Sequence, residues 1–177
     1  MKRSNHVIQN AIQISALILL GLTLSFQPRA ANAQSEKAMK AIVDQWLEVW
    51  NTNNLALVDK IFTPTAVRHE VGVAKREGTD ALKQHVGGLR TIYPDFKATS
   101  EAPIIKGDRI VVFGEYSGTN TGPGDIPPTG KKVTGLYCAI FRIVGGKIAE
   151  EWLFYNQAAV LTQLGYTITP PATPSEK

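Results

Sequence analysis

The chain has 177 residues, with 19 Lys and Arg against 15 Asp and Glu, a formal net charge of +4. That length predicts one domain with tails. Three of the basic residues, Lys2, Arg3 and Arg29, sit in an acid-free N-terminal stretch; taking them from the 19 leaves 16 basic residues against 15 acidic. Beyond Lys75-Arg76 and Lys131-Lys132 no basic cluster remains, so nucleic acid is not an expected partner.

The N-terminus reads as a targeting segment. A basic start precedes an apolar run of 11 residues, Ala16–Phe26, and then Ala31-Asn32-Ala33. This order predicts a secretory signal peptide over residues 1–33, cut after Ala33. The run is shorter than the roughly 20 apolar residues that cross a bilayer. An exported protein is therefore expected, periplasmic or secreted, with no stable membrane span after cleavage. Cys138 is the single cysteine, so no disulfide can form within the chain. Its apolar setting, GLYCAIF, predicts a buried, inert thiol. His6, His69 and His85 have no paired ligand at helical spacing, so no metal site is expected.

Ser35–Trp50 is predicted as a helix capped by Ser35, with Met39, Ile42, Val43, Trp46, Leu47 and Trp50 forming one apolar stripe. Leu55–Phe62 predicts a second short helix closed by Pro64. Thr65–Val71 alternates and predicts a half-buried strand, with Val67, His69 and Val71 inward and Arg68 and Glu70 outward. A third helix is predicted over Asp80–Tyr93, weakened by Gly87-Gly88 and stopped by Pro94.

The period then changes to two. Strands are predicted over Phe96–Ile105, Arg109–Gly118, Lys131–Val144 and Lys147–Tyr155. Thr119–Gly130 reads as a loop, Gly145-Gly146 as a tight hairpin turn, and Asn156–Leu164 as a closing helix. Residues 34–166 form the predicted domain, and the proline-rich segment 167–177 a disordered tail. Helices followed by hairpin-linked strands predict an α+β fold with an antiparallel sheet packed on helices.

Several segments occur together in order: Phe62–Val67, Gly78–Tyr93 into Pro94-Asp95-Phe96, Gly118–Gly122 before Ile126–Val133, Gly146–Trp152, and Gln163-Leu164-Gly165. In this order they resemble the SnoaL-like polyketide cyclase or ester cyclase family, of the nuclear transport factor two-like superfamily. The resemblance covers roughly residues 38–166. It implies a cone, in which a strongly curved antiparallel sheet wraps about three N-terminal helices around an apolar cavity. It also implies a homodimer through the outer sheet face. Members that are enzymes close a polyketide ring without metal or organic cofactor, so none is expected here.

Relatives carry an acid in the pattern E-x-W-x-x-x-D, and this chain has Asn156 at the acid position. A carboxamide cannot exchange a proton, but it can hydrogen-bond a carbonyl or an enolate oxygen. Asn120 stands where relatives often have histidine and suits loop packing. His69 becomes the expected proton-transfer group. Glu150 is a second candidate, with Arg142 its expected partner, and His85 is expected on the surface. Trp50, Tyr116, Tyr137, Trp152 and Phe154 are the candidate ligand walls, with Trp152 and Phe154 facing the helices.

The expected function is binding of an apolar or aromatic small molecule, with cyclase or isomerase chemistry on a carbonyl compound. A carrier or sensor, or a dimeric interaction module whose cavity is filled by side chains, are the alternatives.

Overall fold

A computed structural model describes residues 27–169, with side chains from residue 35 onward. The predicted signal segment up to residue 26 and the tail from residue 170 lie outside the described residues. The chain divides into two units, residues 1–38 and 39–177. In the first, the described backbone is helical. The second carries the rest of the fold.

Helix α1 spans Gln27–Thr52. It continues through Ser35, so in the full chain Ser35 is an interior position and not the cap expected from sequence. The preceding segment, rich in alanine, propagates the helix. The predicted second helix is shorter than expected: a 3-10 turn, Leu55–Leu57, followed by one α-turn, α2, Val58–Ile61. Strand β1 starts at Phe62 and runs to Glu70, so Pro64 lies inside a strand. Its pairing with the last strand shifts register between Phe62 and Val67. A proline has no N–H to give a ladder, which accounts for the break.

A two-residue strand β2, Arg76–Glu77, precedes helix α3, Gly78–Ile92. The long strand predicted after it is split into β3, Lys97–Ser100, and β4, Ile104–Lys106, with Pro103 in the break. Strands β5, Arg109–Thr119, β6, Lys132–Val144, and β7, Lys147–Tyr155, follow as long antiparallel hairpins. Helix α4, Gln157–Leu164, ends at Gly165, whose φ of 98° is the left-handed C-terminal cap glycine tolerates.

The sheet order is β2-β1-β7-β6-β5-β3, with β4 also on β5. One pairing departs from the expected antiparallel sheet: β1 and β7 run parallel. The chain leaves β1 through helix and hairpins and returns on its far side in the same direction, so the mixed sheet follows from the long connection. The helical stripe predicted on α1 holds. Ile42, Val43, Trp46, Val49 and Trp50 pack with Ile110, Val112, Ala139, Phe141 and Ile148 from the concave face of the curved sheet. At the β3 edge, Asn51 makes two hydrogen bonds to one residue. Its Nδ2 donates to Ala98 O at 2.9 Å and its Oδ1 accepts from Ala98 N at 2.7 Å.

Two local events decide which side chains reach the concave face. In the β6–β7 ladder Arg142 pairs with Glu150 but Ile143 pairs with Ile148, so Ala149 is an extra residue, a β-bulge. The bulge turns Ile148 and Glu151 to the same side. Leu153 and Tyr155 follow Glu151 inward, and Glu150, Trp152 and Phe154 face out. On β1 the inward residues are Ala66, Arg68 and Glu70. Both faces are the reverse of the sequence expectation.

Candidate functional site

A cavity of about 150 Å³ lies between α1, α3, α4 and the concave face of the sheet. Most of its wall is ring: Trp46 and Trp50 from α1, Tyr93 and Phe96 after α3, Tyr116 on β5, Tyr137 on β6 and Tyr155 on β7. Their spacing follows from the inward parity of each strand and from the i, i+4 step between the two tryptophans. Trp46 touches Trp50, Tyr137 and Phe141 at ring separations of 6.1, 5.8 and 5.3 Å.

One end of the cavity is charged. Arg68, Glu70 and His85 line it, and Tyr155 closes it. Arg68 stands opposite Glu151 in the parallel β1–β7 register. Its Nη1 donates to Glu151 Oε1, which also accepts from Trp46 Nε1 at 3.1 Å. Glu151 is fully buried and Arg68 is 3% exposed. The Arg68 guanidinium also lies 4.7 Å over the Trp50 ring and has its Nε 3.6 Å from Glu70 Oε2. Glu70 accepts from Tyr155 Oη at 2.9 Å and from Arg76 Nη1 at 2.8 Å. One arginine therefore braces two carboxylates, and only Glu70 borders the cavity.

The charges here sort the protonation states. Burial pushes the Glu151 carboxyl up, against the pull of Arg68 and Trp46. Burial also acts to raise Glu70, but Arg68, then His85, the Tyr155 hydroxyl and Arg76 together outweigh it and hold Glu70 below the usual carboxylate range. His85 is pushed down to about 3, first by burial and then by Arg68 and Arg76. At neutral pH Glu70 is thus a carboxylate and His85 a neutral imidazole. Their nearest atoms, His85 Nε2 and Glu70 Oε2, are 3.9 Å apart. That is too far for a direct hydrogen bond and leaves both able to engage a third group.

The structure separates the residues expected from sequence. Trp50, Tyr116 and Tyr137 line the cavity; Trp152 and Phe154 do not, because the bulge at Ala149 turns them outward. His69 is also on the outer face, stacked on Trp152 at 5.0 Å with 5° between the rings. Its expected inward orientation fails because the inward positions of β1 go to Arg68 and Glu70, whose charges are met by partners on other elements. Glu150 pairs with Arg142 at 2.9 Å, the expected partner, but on the outer face. Asn156 is exposed and caps α4, its Oδ1 accepting from Ala159 N at 2.9 Å. Asn120 has the packing role expected of it: its buried Oδ1 accepts from Thr129 N and Thr129 Oγ1 at 2.8 and 2.9 Å.

Glu70 and His85 are the polar groups that sequence reasoning passed over. The readable signal was the R-x-E pair Arg68–Glu70, where two charges share one strand face. His85 was expected on the surface because its neighbours Lys83 and Gln84 are polar; in fact it packs edge-on against Trp50 at 5.6 Å. Cys138 is half-buried on the outer face, and burial pushes its thiol up, which keeps it protonated. Among the described residues no group of three His, Cys, Asp or Glu is placed to hold a metal ion, and no helix is long and apolar enough to cross a membrane.

Solved structures share this architecture. TsrD from Streptomyces laurentii superposes with a TM-score of 0.66 at 21% identity, over 73% of this chain and 96% of its own. IdmH from Streptomyces antibioticus, described as a putative polyketide cyclase, gives 0.62 at 23%, over 72% of this chain and 98% of its own. A protein of ketosteroid isomerase-like fold from Catenulispora acidiphila, solved with trimethylamine, gives 0.61 at 20%, over 73% and 97%. No curated protein sequence matches the chain. The family model described as SnoaL-like polyketide cyclase matches residues 40–164, which takes in every residue that lines the cavity. The chain belongs to the SnoaL-like polyketide cyclase family.

Proposed function

We propose that this protein binds a small aromatic or apolar carbonyl compound in the cavity and moves a proton at the carbon beside the carbonyl, without cofactor. The observation that carries this reading is the ionised Glu70 next to the neutral His85 at the one charged end of an otherwise apolar cavity. The carbonyl oxygen accepts from the His85 ring N–H. Glu70 takes the α-proton, the C–H pair forms the enolate, and the imidazole hydrogen bond holds the developing oxyanion. Glu70 then returns the proton to the same or a conjugated carbon, which is isomerisation, or the enolate carbon attacks a second carbonyl and Glu70 gives its proton to the alkoxide so formed, which is aldol-type closure. A ligand that fills the cavity removes water from Glu70, and desolvation raises the basicity of a carboxylate. Glu70 and His85 take the roles that the sequence suggested for His69, Glu150 and Asn156.

The test is deuterium exchange at the methyl group of acetophenone in D₂O. The wild type exchanges it faster than buffer, and Glu70→Gln lowers the enzymatic rate by roughly 10²–10⁴-fold while the fold, checked by circular dichroism, is kept. Binding without exchange in the wild type would instead support the carrier or sensor reading.

The outer face supports a homodimer. Val111, Ile140, Trp152 and His69 form one row across β5, β6, β7 and β1, and Phe113, Cys138 and Phe154 the next. Leu136, Phe113 and Phe154 are exposed there. Contiguous apolar surface of this kind marks interaction sites. Sedimentation of wild type against Leu136→Lys checks it: the wild type runs as a dimer and the variant as a monomer. Export after cleavage behind Ala33 completes the proposal, and N-terminal sequencing of the protein from its host tests it.

A further inference from the structure

Two tyrosines of the cavity wall are seated on glycines. The β5–β6 register puts Gly135 opposite Tyr116 and Gly114 opposite Tyr137, a reciprocal pair on the concave face. A Cβ on Gly135 would stand 2.5 Å from Tyr116 Oη and 2.7 Å from its Cζ; one on Gly114 would stand 1.9 Å from Thr99 O on β3 and 2.7 Å from the Tyr137 ring. Each ring therefore lies directly on bare backbone. Tyr137 is also held by its hydroxyl, which donates to Thr99 O at 3.0 Å. Tyr116 is held between Phe96, stacked at 6.4 Å, and the edge of Tyr155 at 5.9 Å. Tyr155 is tied in turn to Glu70.

These contacts fix the wall and so the size of the ring that the inner space holds. An apolar cavity of about 150 Å³ holds benzene, whereas sites for drug-sized ligands begin at about 300 Å³. We infer that the ligand is a single-ring carbonyl compound, and that Tyr116, seated on Gly135, is the residue that excludes a second fused ring. This rests on reading the cavity as the ligand site. It does not require turnover. A family of polyketide cyclases would then include here a member restricted to a single ring by a tyrosine seated on glycine.

The experiment measures binding to the full chain, by quenching of tryptophan fluorescence, for acetophenone and 2-acetonaphthalene. Wild type is expected to bind acetophenone about tenfold or more tightly than the two-ring probe. Tyr116→Ala removes the wall and is expected to reverse that preference. Gly135→Ala tips the Tyr116 ring into the cavity and is expected to abolish acetophenone binding. Equal binding of the two probes by wild type overturns the size limit without any variant. So does a folded Tyr116→Ala protein with an unchanged ratio. Should neither probe bind saturably to wild type, the size limit and the ligand-site reading fall together. Size-selective binding without proton exchange would leave the size limit standing and remove only the catalytic reading.

Discussion

Adjacent residues on β7 make the same kind of ion pair on opposite faces of the sheet. Glu151 meets Arg68 on the concave side, where the two are 0% and 3% exposed. Glu150 meets Arg142 on the convex side, where they are 29% and 31% exposed. On the outside the pair is replaceable, since water offers each charge nearly as good a partner. On the inside water offers no substitute: among the described residues Glu151 has Arg68 as its one cationic partner, and Arg68 has only Glu151 and Glu70, so removing a partner leaves charge under-compensated in a low-dielectric core. Chemical identity therefore says little about what an ion pair does; the face it occupies decides.

Glu151→Ala is the most severe test of that contrast. It leaves Arg68 with Glu70, 3.6 Å away, as its one carboxylate, and is expected to cost up to about 3 kcal/mol, read from urea denaturation. Replacing both partners, with Arg68→Met and Glu151→Leu, should cost less than Glu151→Ala alone. A double variant worse than the single would refute the claim that the loss comes from an under-compensated charge.

The inner face should also dominate the pH dependence. His85 is held down to about 3 from 6.5, so the unfolded chain takes up a proton first as pH falls between those values. Where the unfolded state binds more protons, stability falls with falling pH. Glu70, also lowered, adds to the fall below its ordinary range near 4.5. Glu151, raised, works in the opposite sense. Melting temperature is expected to drop as pH goes from about 6.5 toward 3, and His85→Gln should flatten the upper part of that slope.

A smaller effect is expected at Asn156. Asn156→Ala removes the α4 cap and should cost about 1 kcal/mol, while Asn156→Asp keeps a capping oxygen and should be close to neutral. If proton exchange appeared in Asn156→Asp at the expense of Glu70, the cap would have to be reread as a site. Least of all should change in Glu150→Ala, whose denaturation midpoint is expected to stay within experimental scatter.

The same strands show what the sequence could convey. The order of helices and strands, the β6–β7 hairpin and the stripe on α1 were legible, because each depends on nearby residues and on period. The facing of β1 and β7 was not. Alternation reveals two faces but not which is inward, and hydrophobicity pointed the wrong way: Val67 and His69 look like core beside Arg68 and Glu70. Arg68 turns inward because Glu151, 83 positions later, meets it, and no local pattern carries that information. The bulge at Ala149 is likewise a property of the ladder with β6. The aromatic walls were partly legible, since Trp50, Tyr116 and Tyr137 lie on elements with regular parity. Trp152 and Phe154 were lost to the bulge. His85 was missed because a helix face with polar neighbours gives no sign of a tryptophan packed against it.

Asn51 bears on how the protein behaves when concentrated. A sheet that does not close leaves a row of free backbone groups on its last strand, and such a row invites another chain to add on. At β3 the amide of Asn51 occupies both the N–H and the C=O of Ala98, the middle of a four-residue strand. One side chain thus plays the part of a neighbouring strand and ends the sheet. A further strand arriving at this border finds both backbone groups of Ala98 already taken.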